Sequence, residues 1–346
     1  MLNQTGIQTG NIQWKRRPLG MLVVLAGLSI LCLLGACLAG SESVNWHILP
    51  SAFFEMIQGE SVSLTAILLS LRLHRVLAAF LTGGSLALAG VMMQALLRNP
   101  LADPYVLGVS GGASVGALLM LFLGGAAWMM DAAAFTGAVA VAVFLYWLAR
   151  KELGQYAGSD GGTRLLLTGV ILAFGCGALV TLLLSIAPDG SLRGMVFWLV
   201  GDLEGASMNG LSVVVLLVVL AIILKMARSV NLLALYAEDA AALGVNVAWV
   251  RKSLFIGSAL LTACAVSNAG SIGFVGLIVP HLCRMALGSD HRLLLPTATL
   301  VGGSFLVLAD TLARILMAPQ QLPVGAVTAL IGVPVFLFQL YRFRGN

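Results

Sequence analysis

Apolar residues run along this chain in stretches longer than a soluble amphipathic helix needs, broken by short polar or Pro/Gly punctuation. Marked at those breaks, the stretches lie near 19–40, 74–97, 106–124, 126–149, 164–187, 207–226, 250–268, 271–287, 293–316 and 324–341. A hydrocarbon core about 30 Å thick takes roughly 20 apolar residues per helix, so each stretch predicts a membrane span. Within a bilayer a helix satisfies its own backbone polar groups, which makes the fold class all-α, a polytopic transmembrane bundle of about ten helices. What remains is a polar tail over 1–18 and short connections. Residues 19–346 therefore read as one transmembrane domain with no folded soluble domain beside it.

Composition sharpens this reading. Hydrophobic residues make up 60% of 346 positions and charged residues 10%, against about 45–50% and about 25% in soluble domains. The net charge of +5 does not point to nucleic acid, because the basic residues stand singly or in short runs at the ends of apolar stretches. With the N-terminus in the cytoplasm and sides alternating, of 19 lysines and arginines only Arg72, Arg75, Arg193 and Arg314 fall outside. That is a positive-inside bias, and it predicts a multi-pass membrane protein with both termini in the cytoplasm. Lys15-Arg16-Arg17 and Leu34-Gly35-Ala36-Cys37 would also suit a cleavable leader, but the first stretch is of full spanning length and its cysteine comes late, which favours an uncleaved helix. The five cysteines sit inside predicted spans without metal-ligand spacing, and no metal site is assigned to them.

The exceptions to the charge rule carry information. Arg72 and Arg75 share one face at the outer end of the second span, and Arg314 lies at the outer end of the ninth, four residues after Asp310. Snorkelling to headgroups, an Asp310–Arg314 pair and a partner surface all fit this pattern. In each case the side chains are placed at the water boundary rather than within the bundle. The span centres lack the ionisable relay of an ion-coupled carrier. His47, His74, His281 and His291 stand without the nucleophile or base an intramembrane enzyme would need. No G-x-x-x-x-G-K-[ST] run surrounds Lys15, Lys151, Lys225 or Lys252, so the chain is not itself an ATPase, and ATP and Mg belong to another subunit if ATP drives it. Many of the 40 glycines lie within spans at three- and four-residue spacing, which suits close helix packing.

Four stretches resemble the FecCD family of permeases, the type II ABC importers for siderophores, haem and cobalamin. The first runs from Arg72-Leu73-His74-Arg75 through Asn99-Pro100-Leu101-Ala102-Asp103-Pro104 to Leu107-Gly108-Val109-Ser110-Gly111-Gly112-Ala113, and the second is Thr163-Arg164-Leu165-Leu166-Leu167. The third contains Gly273, Gly276, Pro280, His281 and Arg284, and the fourth joins Asp310 and Arg314 to Leu322-Pro323-Val324-Gly325. His74 departs from the proline that the family often carries there.

The resemblance implies a homodimer, two ATP-binding-cassette ATPase subunits that carry ATP and Mg, no cofactor in this chain, and a periplasmic or external substrate-binding protein. It implies that Arg72, Arg75 and Arg314 dock that protein. It places the ATPase-coupling segment near 232–247, with Leu235, Tyr236, Glu238, Asp239, Ala242, Leu243 and Gly244, and the inner gate at Gly161, Gly162 and Thr163. The expected function is ATP-driven import of an iron chelate, ferric siderophore or haem. Cobalamin import is the alternative within the family, and an ion-coupled carrier the alternative outside it. A haem-specific role for His74 or Met195 at the outer mouth is weaker than an ordinary hydrogen-bonding role for a lone histidine at a helix end.

Overall fold

Helix boundaries follow local capping chemistry. A computed structural model of the chain describes residues 18–40, 54–55, 63–154, 161–206, 208–235, 237–318 and 320–343. Among these are thirteen α-helices and one 3-10 helix, and no strand. They are α1 (Pro18–Leu38), α2 (Leu64–Leu97), the 3-10 turn Pro104–Leu107, α3 (Val109–Phe122), α4 (Ala127–Leu148), α5 (Gly161–Ile186), α6 (Asp189–Val200), α7 (Gly210–Lys225), α8 (Ala227–Leu235), α9 (Ala237–Ala242), α10 (Val247–Ala269), α11 (Val275–Leu287), α12 (His291–Ile315) and α13 (Val324–Phe343). Ser63, Asn209, Asn246 and Asp290 each accept a first-turn N–H at their helix start, and Gly201, Gly244, Gly270 and Gly288 end helices at positive φ, as free backbone groups at helix ends require.

The count of about ten helices is thus corrected to thirteen. Each predicted span has its helix, and the additions are the short α6, α8 and α9. Among the described residues six helices are long and apolar enough to cross a membrane, and a seventh span results if α7 and α8, bent by 66°, form one broken span. The helices α3, α11 and α13 are apolar but shorter. The second span begins ten residues earlier than the apolar run suggested, because α2 continues through Arg72, His74 and Arg75 to a Ser63 cap.

This long helix is the hub of the bundle. Its apolar window is 89% buried, against 11% for α5 and 17% for α1, and it packs on α1, α7, α10, α11 and α12. Small residues allow this. A Cβ on Gly83 would collide with the Gly302 carbonyl, and one on Gly303 would lie 2.6 Å from the Phe80 ring, so α2 and α12 approach backbone to backbone. Opposite this core, α5 presents Leu167, Ile171, Phe174, Leu179 and Leu182 outward.

Candidate functional site

Two polar constellations lie at opposite ends of the bundle, joined by α2 and α12. At the outer end by the charge rule, Asp310 is fully buried in α12 and acts as the hub. Arg75 donates to it from Nη2 at 2.8 Å and from Nε at 3.0 Å, and Arg314 donates from Nε at 3.0 Å. Arg75 also reaches Gln321 Oε1 at 2.7 Å. Arg314 donates further to the carbonyls of Ala36 and Ala39 and to Thr311 Oγ1, and Arg72 donates to Leu38 O at 3.4 Å. Two guanidiniums thereby cap the C-terminal carbonyls of α1, where positive charge is favoured.

All three sequence-predicted arginines therefore meet in one cluster. Their expected place at the water boundary needs correcting, because Arg72 is 8% and Arg314 7% exposed. Arg75 is the most accessible, its side chain 13% exposed. An ionisable group inside a span must be paired, and Asp310 is the acid that pairs here. Its place in an apolar run was the signal available in the sequence, whereas Gln321 carried none. His74 is exposed, with Nδ1 on the carbonyl of Ser70 in its own helix, and Met195 is fully buried.

Residues 99–110 and 270–284 clasp each other. Asn99 Oδ1 accepts from Leu101 N–H, next to Pro100, and Asp103 caps the 3-10 turn by accepting from Tyr105 N–H at 2.7 Å. Tyr105 donates its hydroxyl proton to Ile272 O at 2.9 Å, and Gln94 Nε2 donates to Leu277 O at 3.3 Å. Pro280 lacks the N–H that would bond the Gly276 carbonyl, and that carbonyl lies against Gly90, where a Cβ would collide with it. Gly276 itself abuts Pro104, whereas nothing approaches Gly273. Phe274 takes a left-handed φ of 70° before α11, a conformation costing of order 1–3 kcal/mol for a non-glycine residue. Among the described residues His281 Nδ1 and Gln94 Oε1 are buried without partners, and Arg284 lies in the last turn of α11.

Burial pushes the Asp103 carboxyl up to about 6 against the pull of the Tyr105 N–H bond. The folded chain then holds this proton more tightly than the unfolded chain, so Asp103 costs stability above pH 6, a cost removed as pH falls toward the ordinary value of about 4. Asp103→Asn keeps the capping oxygen. It is expected to raise the thermal midpoint at pH 8, by about half as much at pH 5, and not at all below about pH 4. A variant less stable than wild type at pH 8 would show that the charge is needed.

At the end that the charge rule places inside, α8 and α9 form the surface segment between α7 and α10. Glu238, Asp239 and Ala242 are exposed, Leu243 is 69% exposed, and Gly244 closes the segment at φ 83°. Tyr236 lies outside the described residues, as does the side chain of Leu235. Trp249, which sequence reasoning passed over, is 62% exposed in the first turn of α10. Gly161 and Gly162 open α5, with Thr163 exposed and Gly162 in van der Waals range of Leu97. The groove along α4 from Phe135 to Trp147, about 620 Å³, is apolar on one helix face, and its Thr136 hydroxyl is spent on its own helix.

Comparison with known proteins places this architecture. Residues 23–342 match the model of the FecCD transport family. The hemin transport system permease protein HmuU of Yersinia pestis is 39% identical over 97% of this chain and 98% of its own length. The cobalamin import system permease protein BtuC of Halobacterium salinarum is 39% identical over 92% of this chain and 85% of its own. A solved structure described as a metal-chelate type ABC transporter in an inward-facing conformation superposes with a TM-score of 0.79, 31% identity, and coverage of 93% of this chain and 99% of that one.

Proposed function

The chain belongs to the FecCD transport family and is the permease of a type II ABC importer, and we propose that its cargo is an iron chelate, ferric siderophore or haem. Support for that cargo comes from a hemin permease that matches nearly the whole chain and from a solved neighbour of metal-chelate type. Cobalamin is the second reading, since a cobalamin permease reaches the same identity. With an ABC permease shown, the ion-coupled carrier is set aside.

In this reading two copies pair in the inner membrane with their termini in the cytoplasm. The open apolar face of α5 suits such pairing. An external binding protein delivers cargo to the outer end, where Arg75, backed by Arg72 and Arg314, offers positive charge to an acidic partner. ATP and Mg bind in two partner ATPases, and this chain performs no covalent chemistry. Gly161, Gly162 and Thr163 form the inner gate. The observation that carries the coupling assignment is the α9 end. Leu243 and Trp249 expose apolar surface beside Glu238 and Asp239 at the inner end, where a partner protein rather than lipid would cover them.

The test is uptake into proteoliposomes holding the permease and its ATPase, with binding protein supplied and labelled hemin, ferric siderophore and cobalamin offered in turn. ATP-dependent, saturable uptake of an iron chelate is expected. Uptake of cobalamin alone would overturn the cargo assignment. In the same system a cysteine at Leu243 is expected to crosslink to the ATPase, and absence of that product alongside crosslinking from another loop would overturn the coupling assignment.

A further inference from the structure

The ATPase-facing segment packs on the bundle through Val230, Leu233 and Ala240 and is hydrogen-bonded to α12 by one side chain. Asn231, in α8, places both ends of its amide on the N-terminus of α12. Nδ2 donates to Asp290 Oδ1 at 2.8 Å. Oδ1 accepts the backbone N–H of His291 at 2.9 Å and lies 2.6 Å from His291 Nδ1. Two acceptors cannot share so short a contact, so Nδ1 carries the proton. Asp290 Oδ1 also accepts the Arg292 N–H at 3.0 Å, so Asn231 and Asp290 together cap α12. The Asn231 amide, followed by the Arg292 N–H, holds the exposed Asp290 carboxyl below the usual carboxylate range, which marks a bond to the ionised acid. His291 is 3% exposed, and its Nε2 is buried with no partner, a cost the fold would shed if α8 and α12 shifted so that Nε2 found one.

What this joint holds is the helix that carries the outer arginine cluster. Asp290 and Asp310 are twenty residues apart on one α-helix, about 30 Å at 1.5 Å per residue. Between them α12 is locked backbone to backbone on α2 through Gly83, Gly302 and Gly303. Across α2, Asp310 meets Arg75. A close-packed helix pair transmits displacement rather than absorbing it.

We propose that Asn231, Asp290 and His291 form the joint through which movement of the ATPase-facing segment reaches α12 and the outer arginine cluster, making Asn231 a positioning residue for coupling. This rests on the permease reading above, and the test keeps the two apart.

The experiment uses the full transporter in proteoliposomes and compares wild type, Asn231→Asp, and Asn231→Asp combined with Asp290→Asn. The single variant sets two carboxylates against each other. The double variant restores the hydrogen bond with donor and acceptor exchanged. Asn231→Asp is expected to co-purify with the ATPase and keep its basal hydrolysis, yet lose stimulation by the binding protein and about ten-fold of transport, the order set by one charge-assisted hydrogen bond. The double variant is expected to recover both, which a role in folding alone does not predict.

Undiminished transport in the single variant, or no recovery in the double, overturns the joint. So does loss of ATPase co-purification, which would make Asn231 part of the docking seat. If Asn231→Asp does not reach the membrane, Asp290→Asn, which keeps a cap for Arg292 and loses the charge, is judged by the same readouts. Failure of the permease reading itself would appear in wild type, as absence of ATP-dependent uptake.

Discussion

Replacing Asp310 with alanine is expected to cost about 3–5 kcal/mol of stability, because it strands buried guanidiniums that share this one carboxylate. Thermal unfolding of the purified protein in detergent measures it, and a loss below about 1 kcal/mol would show that water or another acid already neutralises the cluster. The arginines distinguish stability from function. Arg314 holds both Asp310 and the end of α1, and Arg72 bonds Leu38 at that same end, so loss of either disturbs the fold. Arg75→Glu replaces the most accessible guanidinium and would set a second carboxylate beside Asp310. A triple change, Asp310→Leu with Arg75→Met and Arg314→Met, removes the charges together and is expected to recover much of the stability lost by Asp310→Ala. Buried ion groups replaced as a unit by apolar residues of similar volume are commonly neutral or stabilising. The same triple variant is expected to bind the external binding protein poorly, since the positive charge that would steer an acidic partner is largely gone.

The second large effect lies in the glycines of the clasp. Gly90→Ala and Gly276→Ala are each expected to cost about 1–3 kcal/mol by forcing helices apart. The first drives a methyl into the Gly276 carbonyl, and the second sets one 2.7 Å from the Pro104 ring. Gly273→Ala, three residues away in the same motif, meets open space and is expected to stay within about 0.5 kcal/mol of wild type. Equal losses at all three positions would mean that the motif is needed for backbone conformation rather than close approach.

These glycines show how far local sequence reaches. Their spacing marked tight packing, but Gly273 and Gly276 look alike in a string of residues. Only the positions of Pro104 and Leu86 separate them. The same holds for short helices. Summed hydropathy finds a span, yet α6 and α8 are held by caps, turns and neighbours, so hydropathy does not separate them from connections. Segment 232–247 is legible by resemblance, while Asn231, one residue before it, is not, because a single asparagine in a short apolar helix has no local signature.

What the sequence by itself determined is the membrane class, the all-α fold, the order of the apolar stretches, and the family through motifs spread along the chain. These are sums over adjacent residues or ordered strings, and lipid or cytoplasm responds to them without reference to distant parts of the chain. What only the tertiary structure decided is which polar groups share a site. Arg75 meets Asp310 across 235 positions, Tyr105 meets Ile272 across 167, and Asn231 meets His291 across 60. The physical reason is desolvation. A charge or amide inside the bundle must find a partner there, and which partner it finds is set by helix packing rather than by sequence distance. The arginines that broke the inside rule were therefore legible as exceptions, while their burial around Asp310 and their hold on the end of α1 were decided where α1, α2 and α12 converge.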